Sequence, residues 1–264
     1  MANVYFELTE AFNAEGPTVA LASGQAAVFY RVAIMSKDGD WVVRESPEGC
    51  ARVLAVLASH GARYRLSSPL DVRWLSGGWS SHFEFFDERR RRVRCDFVSR
   101  PPRVPTASID ALFNRHAPPA LLTVDVESLI WMKHTQRAKD YPIIGPLAAL
   151  LPPEREVLLT TDPDRVLALA VTHGARATRP AVRAALSGDR RAVVLALAGE
   201  ADDYQQRDRR RVEHYETAAA RYLEVCRAMH VVDLPIHEAH ARMCEAAEQY
   251  LPTRVTGISD ADAE

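Results

Sequence analysis

Lysine is almost missing from this sequence. Of its 33 basic residues only Lys37, Lys133 and Lys139 are lysines, leaving 30 arginines. Surface basicity therefore comes from arginine, and a position that keeps lysine is marked as one needing a compact ammonium rather than a planar guanidinium. Cysteine is also sparse. Cys50, Cys95, Cys226 and Cys244 are scattered without a Cys-x-x-Cys pair, which speaks against a zinc site or disulfide frame and for free thiols in a reducing cytoplasm. No apolar run reaches membrane-spanning length. The first residues carry Glu7, Glu10 and Glu15, where a secretory leader would be basic and then apolar. A cytoplasmic protein without membrane contact is expected. The formal charge of -2 removes the global case for nucleic acid and leaves local patches.

What is present fits a folded chain. With 264 residues, 47% apolar and 26% charged, it is long enough for one large domain or two ordinary ones. The most informative stretch is Ser36-Lys37-Asp38-Gly39-Asp40-Trp41-Val42-Val43. Two carboxylates two residues apart, entering a β-prone run, point to one face of a strand. Like charges side by side are unfavourable unless a cation lies between them, and divalent metal is the usual answer. Alone, Asp-x-Asp is equally a solvated turn. Its neighbours decide.

Upstream, apolar residues at 4, 5, 8, 11 and 12 make a helical stripe over 3–13, and Gly16-Pro17 breaks it. Thr18 to Ala22 reads as a buried strand, Ser23-Gly24 as a small-residue turn, and Gln25 to Arg31 as a short helix. A strand passing through such a turn into a helix favours a phosphate. Downstream come a strand over 40–44 and a helix over 47–59, with Ser46 as N-cap, Pro47 in the first turn and Gly61 as the stop. Extended segments follow at 63–66, 72–75 and 82–86, with Gly77-Gly78 turning between the last two. Across a charged turn, 92–98 is another strand. There Arg94, Asp96 and Val98 alternate with Val93, Cys95 and Phe97. Asp96 is a lone acid among apolar and aromatic neighbours.

Pro101 to Pro105 reads as a stiff linker, after which the pattern is helical. Helices are expected over 108–116, with Ser108 as N-cap, and 126–136, with Lys133 near its C-terminal end; Arg137 to Asp140 then turns the chain. Further helices are expected over 163–173, 180–186, 190–198, about 203–229 and 236–251, before an acidic tail from Thr253. Two other patterns favour bland readings: Arg89 to Arg92 as a solvated hairpin tip, and Arg207 to Arg211 as a solvated helix face able to flank an RNA. His237-Glu238-Ala239-His240 lacks the His-Glu-x-x-His spacing of a zinc site.

Over about residues 17 to 150, the order resembles the minimal nucleotidyltransferases of the DNA polymerase β-like superfamily, in particular their bacterial stand-alone or toxin-like members. Ser23-Gly24 before a short helix, Ser36-x-Asp38-x-Asp40, Asp96 on a neighbouring strand and a Lys133 helix ending near Arg137-x-Lys139-Asp140 carry the resemblance. It implies an α/β (α+β) fold, a mixed sheet flanked by helices. Residues 1–104 would be the catalytic core and 105–264 a helical region whose first part, to about 150, completes the nucleotide site. It implies NMP transfer from NTP to a hydroxyl of RNA, protein or a small molecule, with release of pyrophosphate. Asp38, Asp40 and Asp96 would bind two Mg²⁺ ions (Mn²⁺ as a substitute), with Asp96 also taking the acceptor's proton. Ser23 and Gly24 would contact the β/γ phosphates, Lys133 and Lys139 would neutralise the triphosphate, and Asp140 would orient their turn. Lys37 is a further candidate, although its side chain should leave the opposite face of the strand from Asp38.

Two departures stand out. Gly39 replaces the buried aliphatic between the acids, so either the site is loose or Trp41 fills the gap. Ser23-Gly24 replaces the commoner Gly-Ser or Gly-Gly. A non-catalytic relative, such as a nucleotide sensor or toxin–antitoxin component with a cognate partner protein, is the alternative function. In the remaining reading the acids are mere surface charge.

Overall fold

The computed structural model describes residues 3–114, 121–174 and 176–256. The ends of the expected 108–116 helix and of the acidic tail lie outside them. The organising element is a five-stranded mixed sheet, an α/β fold with a helical C-terminal region. Its strands are β1 (Val19–Ala22), β2 (Gly39–Val43), β3 (Arg63–Tyr64), β4 (Ser80–Phe86) and β5 (Arg92–Val98), in spatial order β1-β2-β5-β4-β3. The central β2–β5 pair is parallel and the other neighbours are antiparallel. The outer edge of β1 is partly covered: Leu21 N donates to Leu122 O at 2.8 Å and Val124 N to Leu21 O at 3.0 Å. That leaves less of the edge open to a foreign strand.

Alternation gives the sheet two unlike faces. On one, Leu21, Trp41, Val43, Phe83, Cys95 and Phe97 are buried. They pack with α1 (Val4–Phe12), α3 (Pro47–Ser59), α11 (Arg190–Ala228) and α12 (Ile236–Tyr250). On the other, Ala20, Ala22 and Val42 lie under α2 (Ser23–Phe29), α5 (Thr106–Phe113), α6 (Val126–Met132) and α7 (Ile144–Ala148). Because α11 and α12 return to the first face, the main core crosses the division at 104/105. α8 (Pro153–Leu159), α9 (Pro163–His173) and α10 (Pro180–Ala185), with the start of α11, enclose a smaller core of their own.

Several expectations need correction. Residues 72–75 form a short helix, α4 (Val72–Leu75), rather than a strand. Asp71 caps it, accepting from Arg73 N at 2.8 Å, and Trp74 Nε1 donates to Leu251 O at 3.1 Å. A four-residue apolar run has no readable period, so the cap and the core decide. α5 begins at Thr106, with Pro105 rather than Ser108 before it. The segment from 190 to 228 is one helix of 39 residues, unbroken at Gly199. Tertiary partners fix it along its length: Tyr204 meets Trp131 and His134, Asp208 pairs with Arg103, and Tyr222 Oη donates to Ser67 O at 3.0 Å. The stiff linker is part of the interior. Arg103, at φ 65°, is buried and its guanidinium meets the Asp208 carboxylate at 3.2 Å. α3 matches its expected bounds, with Ser46 accepting from Gly49 N at 2.9 Å. Among the described residues no helix is long and apolar enough to cross a membrane.

Candidate functional site: a carboxylate row on the sheet

The β2–β5 register sets Asp40 beside Asp96, and the antiparallel β5–β4 register sets His82 beside Asp96. Directly paired residues share a face, so Asp40, Asp96 and His82 form one row on the polar part of the sheet. Asp38 precedes β2 by one residue, and its carboxylate lies 3.6 Å from Arg94, which pairs with Glu84 across β5–β4. The sheet therefore brings Asp38, Asp40 and Asp96 into one electrostatic neighbourhood.

Their charges register that closeness. Burial first, and then the charge of Asp96, pushes Asp40 up to about 6. Asp96 also rises to about 6, through burial and the Asp38 charge, against the pull of Arg65 and Arg94. The Arg65 guanidinium meets Asp96 Oδ1 at 3.2 Å. His82 is held near 4 by burial and by Arg65, and its Nε2 lies 2.9 Å from Ser80 Oγ. This imidazole is neutral at physiological pH.

Ser23 opens α2 at φ 47°, a left-handed conformation uncommon for a residue with a Cβ. Its hydroxyl is near enough to the Asp40 carboxylate to draw that group down, and Lys133 Nζ donates to Ser23 Oγ at 3.2 Å. Lys133, the buried residue ending α6, is drawn down by burial, against the opposing charges of Asp140 and Asp40. Two of the rare lysines fall in this neighbourhood, since the Lys139 ammonium is near enough to depress Lys133. Lys139 itself is exposed. Asp140 is buried and organises the turn, accepting from Thr135 Oγ1 at 2.6 Å and from Arg137 Nε at 2.8 Å. Gly24 lies so close to Ser36 that an added Cβ would collide with the Ser36 hydroxyl. Lys37 is exposed, tied down through its carbonyl, which accepts from Tyr5 Oη at 2.5 Å.

Gly39 is explained by the opposite face. A Cβ there would run into the rings of Trp41 and Tyr5, so Trp41 fills the gap between the acids. Its ring stacks on Phe97 with centroids 5.2 Å apart, and its Nε1 donates to Thr9 Oγ1 at 2.8 Å.

Sequence reasoning missed Arg65, His82 and Glu84. For His82 and Glu84 the signal was available, because they alternate with buried Phe83 and Phe85 in β4. Arg65 gave none, since it follows the two-residue β3 and reaches Asp96 only through the fold.

The donor set suits a hard divalent cation, being carboxylate oxygens that crowd their own charge. The arginines temper this fit. Arg65 and Arg94 lie on Asp96 and Asp38, and among the described residues no three His, Cys, Asp or Glu side chains gather tightly enough to hold an ion. Loading would require those guanidiniums to give way.

No family model matches the chain, and no curated protein matches it. Among solved structures it is similar to the crystal structure of JHP933 from Helicobacter pylori, at 13% identity and a TM-score of 0.36 over 80% of this chain and 93% of that one. Likeness at that level carries no argument about activity.

Proposed function

We propose that the chain is a nucleotidyltransferase acting with divalent metal, moving NMP from NTP to a hydroxyl acceptor. The observation that carries this reading is the Asp40–Asp96 pair across β2–β5, both near 6, with Ser23 and Lys133 against Asp40. Asp38, Asp40 and Asp96 would hold the metal. Bound there, two Mg²⁺ ions would stabilise the entering and leaving oxygens of an in-line displacement.

The chain's own groups cover the remaining needs. Lys133 and Lys139 place positive charge where a triphosphate accumulates negative charge. Ser23 offers a hydroxyl and Gly24 a backbone without side chain to the β and γ phosphates. The acceptor oxygen attacks the α-phosphorus, the bond from that phosphorus to the β-bridging oxygen breaks, and pyrophosphate leaves with the bonding pair. The hydroxyl proton passes to Asp96.

The second reading is a non-catalytic nucleotide-binding relative. The arginine contacts to Asp38 and Asp96 favour it, because a site that never loads metal needs permanent counter-charges. One experiment separates the two. The protein is incubated with each labelled NTP, Mg²⁺ and total cellular RNA or protein. Transfer of label, lost in the Asp38→Ala, Asp40→Ala double variant while its fold is kept, supports the enzyme. Labelling unchanged in that variant contradicts it, and metal-dependent NTP binding without transfer supports the second reading.

A further inference from the structure

A cavity of about 590 Å³ opens in the helical half, walled by α6, the 3₁₀ turn 138–143, α8, α10 and α11. Its volume is that of an ordinary small-ligand site. None of the sheet's acids lines it. Aromatic rings form one side. His134 sits 4.5 Å from Tyr204 and 5.3 Å from Trp131, centroid to centroid, and 5.8 Å from Tyr141. The other side is cationic, with Arg176, Arg179 and Arg207 against Glu200 and Asp203. Arg179 is committed, since it pairs with Glu200 at 2.8 Å. Arg207 is half-exposed and holds Asp203 at 2.7 Å, and Arg176 is exposed.

His134 adds directional chemistry. Its Nδ1 lies 3.0 Å from Ile130 O; a carbonyl can only accept, so Nδ1 carries the proton and Nε2 is left as an acceptor. Burial keeps this ring neutral, near 4. Flat apolar rings, one acceptor and an arginine rim match a planar heterocycle with an exocyclic amine and a phosphate. Base–aromatic stacking is worth about 1–3 kcal/mol per base, and guanidiniums recognise phosphate through paired donors.

We infer that this cavity binds a nucleoside phosphate, with its base against the wall that Trp131, Tyr141 and Tyr204 form around His134 and its phosphate on Arg176 and Arg207. The site is distinct from the carboxylate row and does not depend on it. The same chemistry is offered by a free nucleotide and by one unit of an RNA strand.

The full chain is titrated in EDTA with AMP and, separately, with hexaadenylate, using calorimetry and tryptophan fluorescence. The wild type is compared with Arg176→Glu, Arg207→Glu and Trp131→Phe, and circular dichroism checks that each variant is folded. Saturable binding is expected without divalent metal, weakened at least about tenfold by either charge reversal, or about 1.4 kcal/mol. Trp131→Phe should remove the fluorescence change while calorimetry still records binding. Hexaadenylate binding well above AMP supports the site as a strand contact, and equal binding supports it as a free-nucleotide site. The inference is overturned if neither probe binds at millimolar concentration, or if binding is untouched in both arginine variants.

Discussion

The two faces of one sheet obey opposite rules. Along β2 the residues alternate between them: Gly39, Trp41 and Val43 enter the aromatic core, while Asp40 faces Asp96 on the other side. The core face is mutually supportive. Trp41 stacks on Phe97, meets Phe12 edge-on at 5.5 Å, and fills the space a side chain at 39 would need. The polar face is frustrated: the Asp96 charge discourages that of Asp40, and the Asp38 charge discourages that of Asp96. Stable packing on one side lets the same strands carry unfavourable electrostatics on the other, as functional sites commonly do.

That contrast can be broken most forcefully on the core side. Trp41→Ala should cost about 3–5 kcal/mol in urea unfolding, since it leaves a cavity and opens the gap beside Gly39. Gly39→Val comes next, at about 1–3 kcal/mol, because the Tyr5 and Trp41 rings must shift to admit it. On the polar side the sign reverses. Asp40→Asn should stabilise the metal-free protein by roughly 1–2 kcal/mol at neutral pH, by removing a crowded charge. The pH dependence follows from the same group. Asp40 stands at about 6 in the fold against an ordinary 3.8, so between those values the folded state binds protons that the unfolded chain has released. Its contribution is most favourable below pH 4, falls as pH rises through 6, and is level above. Unfolding measured from pH 4 to pH 8 should show this slope in the wild type and a smaller one in Asp40→Asn. The smallest effect belongs to Arg65→Met, under about 1 kcal/mol for a partly exposed pair; NMR titration should find Asp96 moved further up.

Much of this contrast was legible in the sequence, because alternation in a strand is a local property. Asp38 and Asp40 could be assigned to one face, and the strand-turn-helix around Ser23 could be placed, from spacing alone, whereas Asp96 joined them only through the family resemblance. The contact of Gly24 with Ser36 is a close approach that no local pattern records, while at Gly39 the structure decides for Trp41 filling the gap and adds Tyr5 beside it. Arg65 was hidden because it lies just past β3, and its reach to Asp96 depends on how distant strands pair. The 72–75 helix was hidden because its cap outweighs a β-prone Val-x-Trp-Leu. The 39-residue α11 read as two helices because Gly199 weakens the local signal, while contacts from Tyr204, Asp208 and Tyr222 hold the whole length.

The central claim is that the Asp40–Asp96 pair is a cation site. Thermal unfolding with increasing Mn²⁺ or Mg²⁺ at pH 8 and pH 5, in the wild type and in an Asp40→Asn, Asp96→Asn double variant, tests it directly. The expected result is a rise in Tm with metal at pH 8, a smaller rise at pH 5 where protons compete, and none in the double variant. An equal response in both proteins, or no response in the wild type at pH 8, would contradict it.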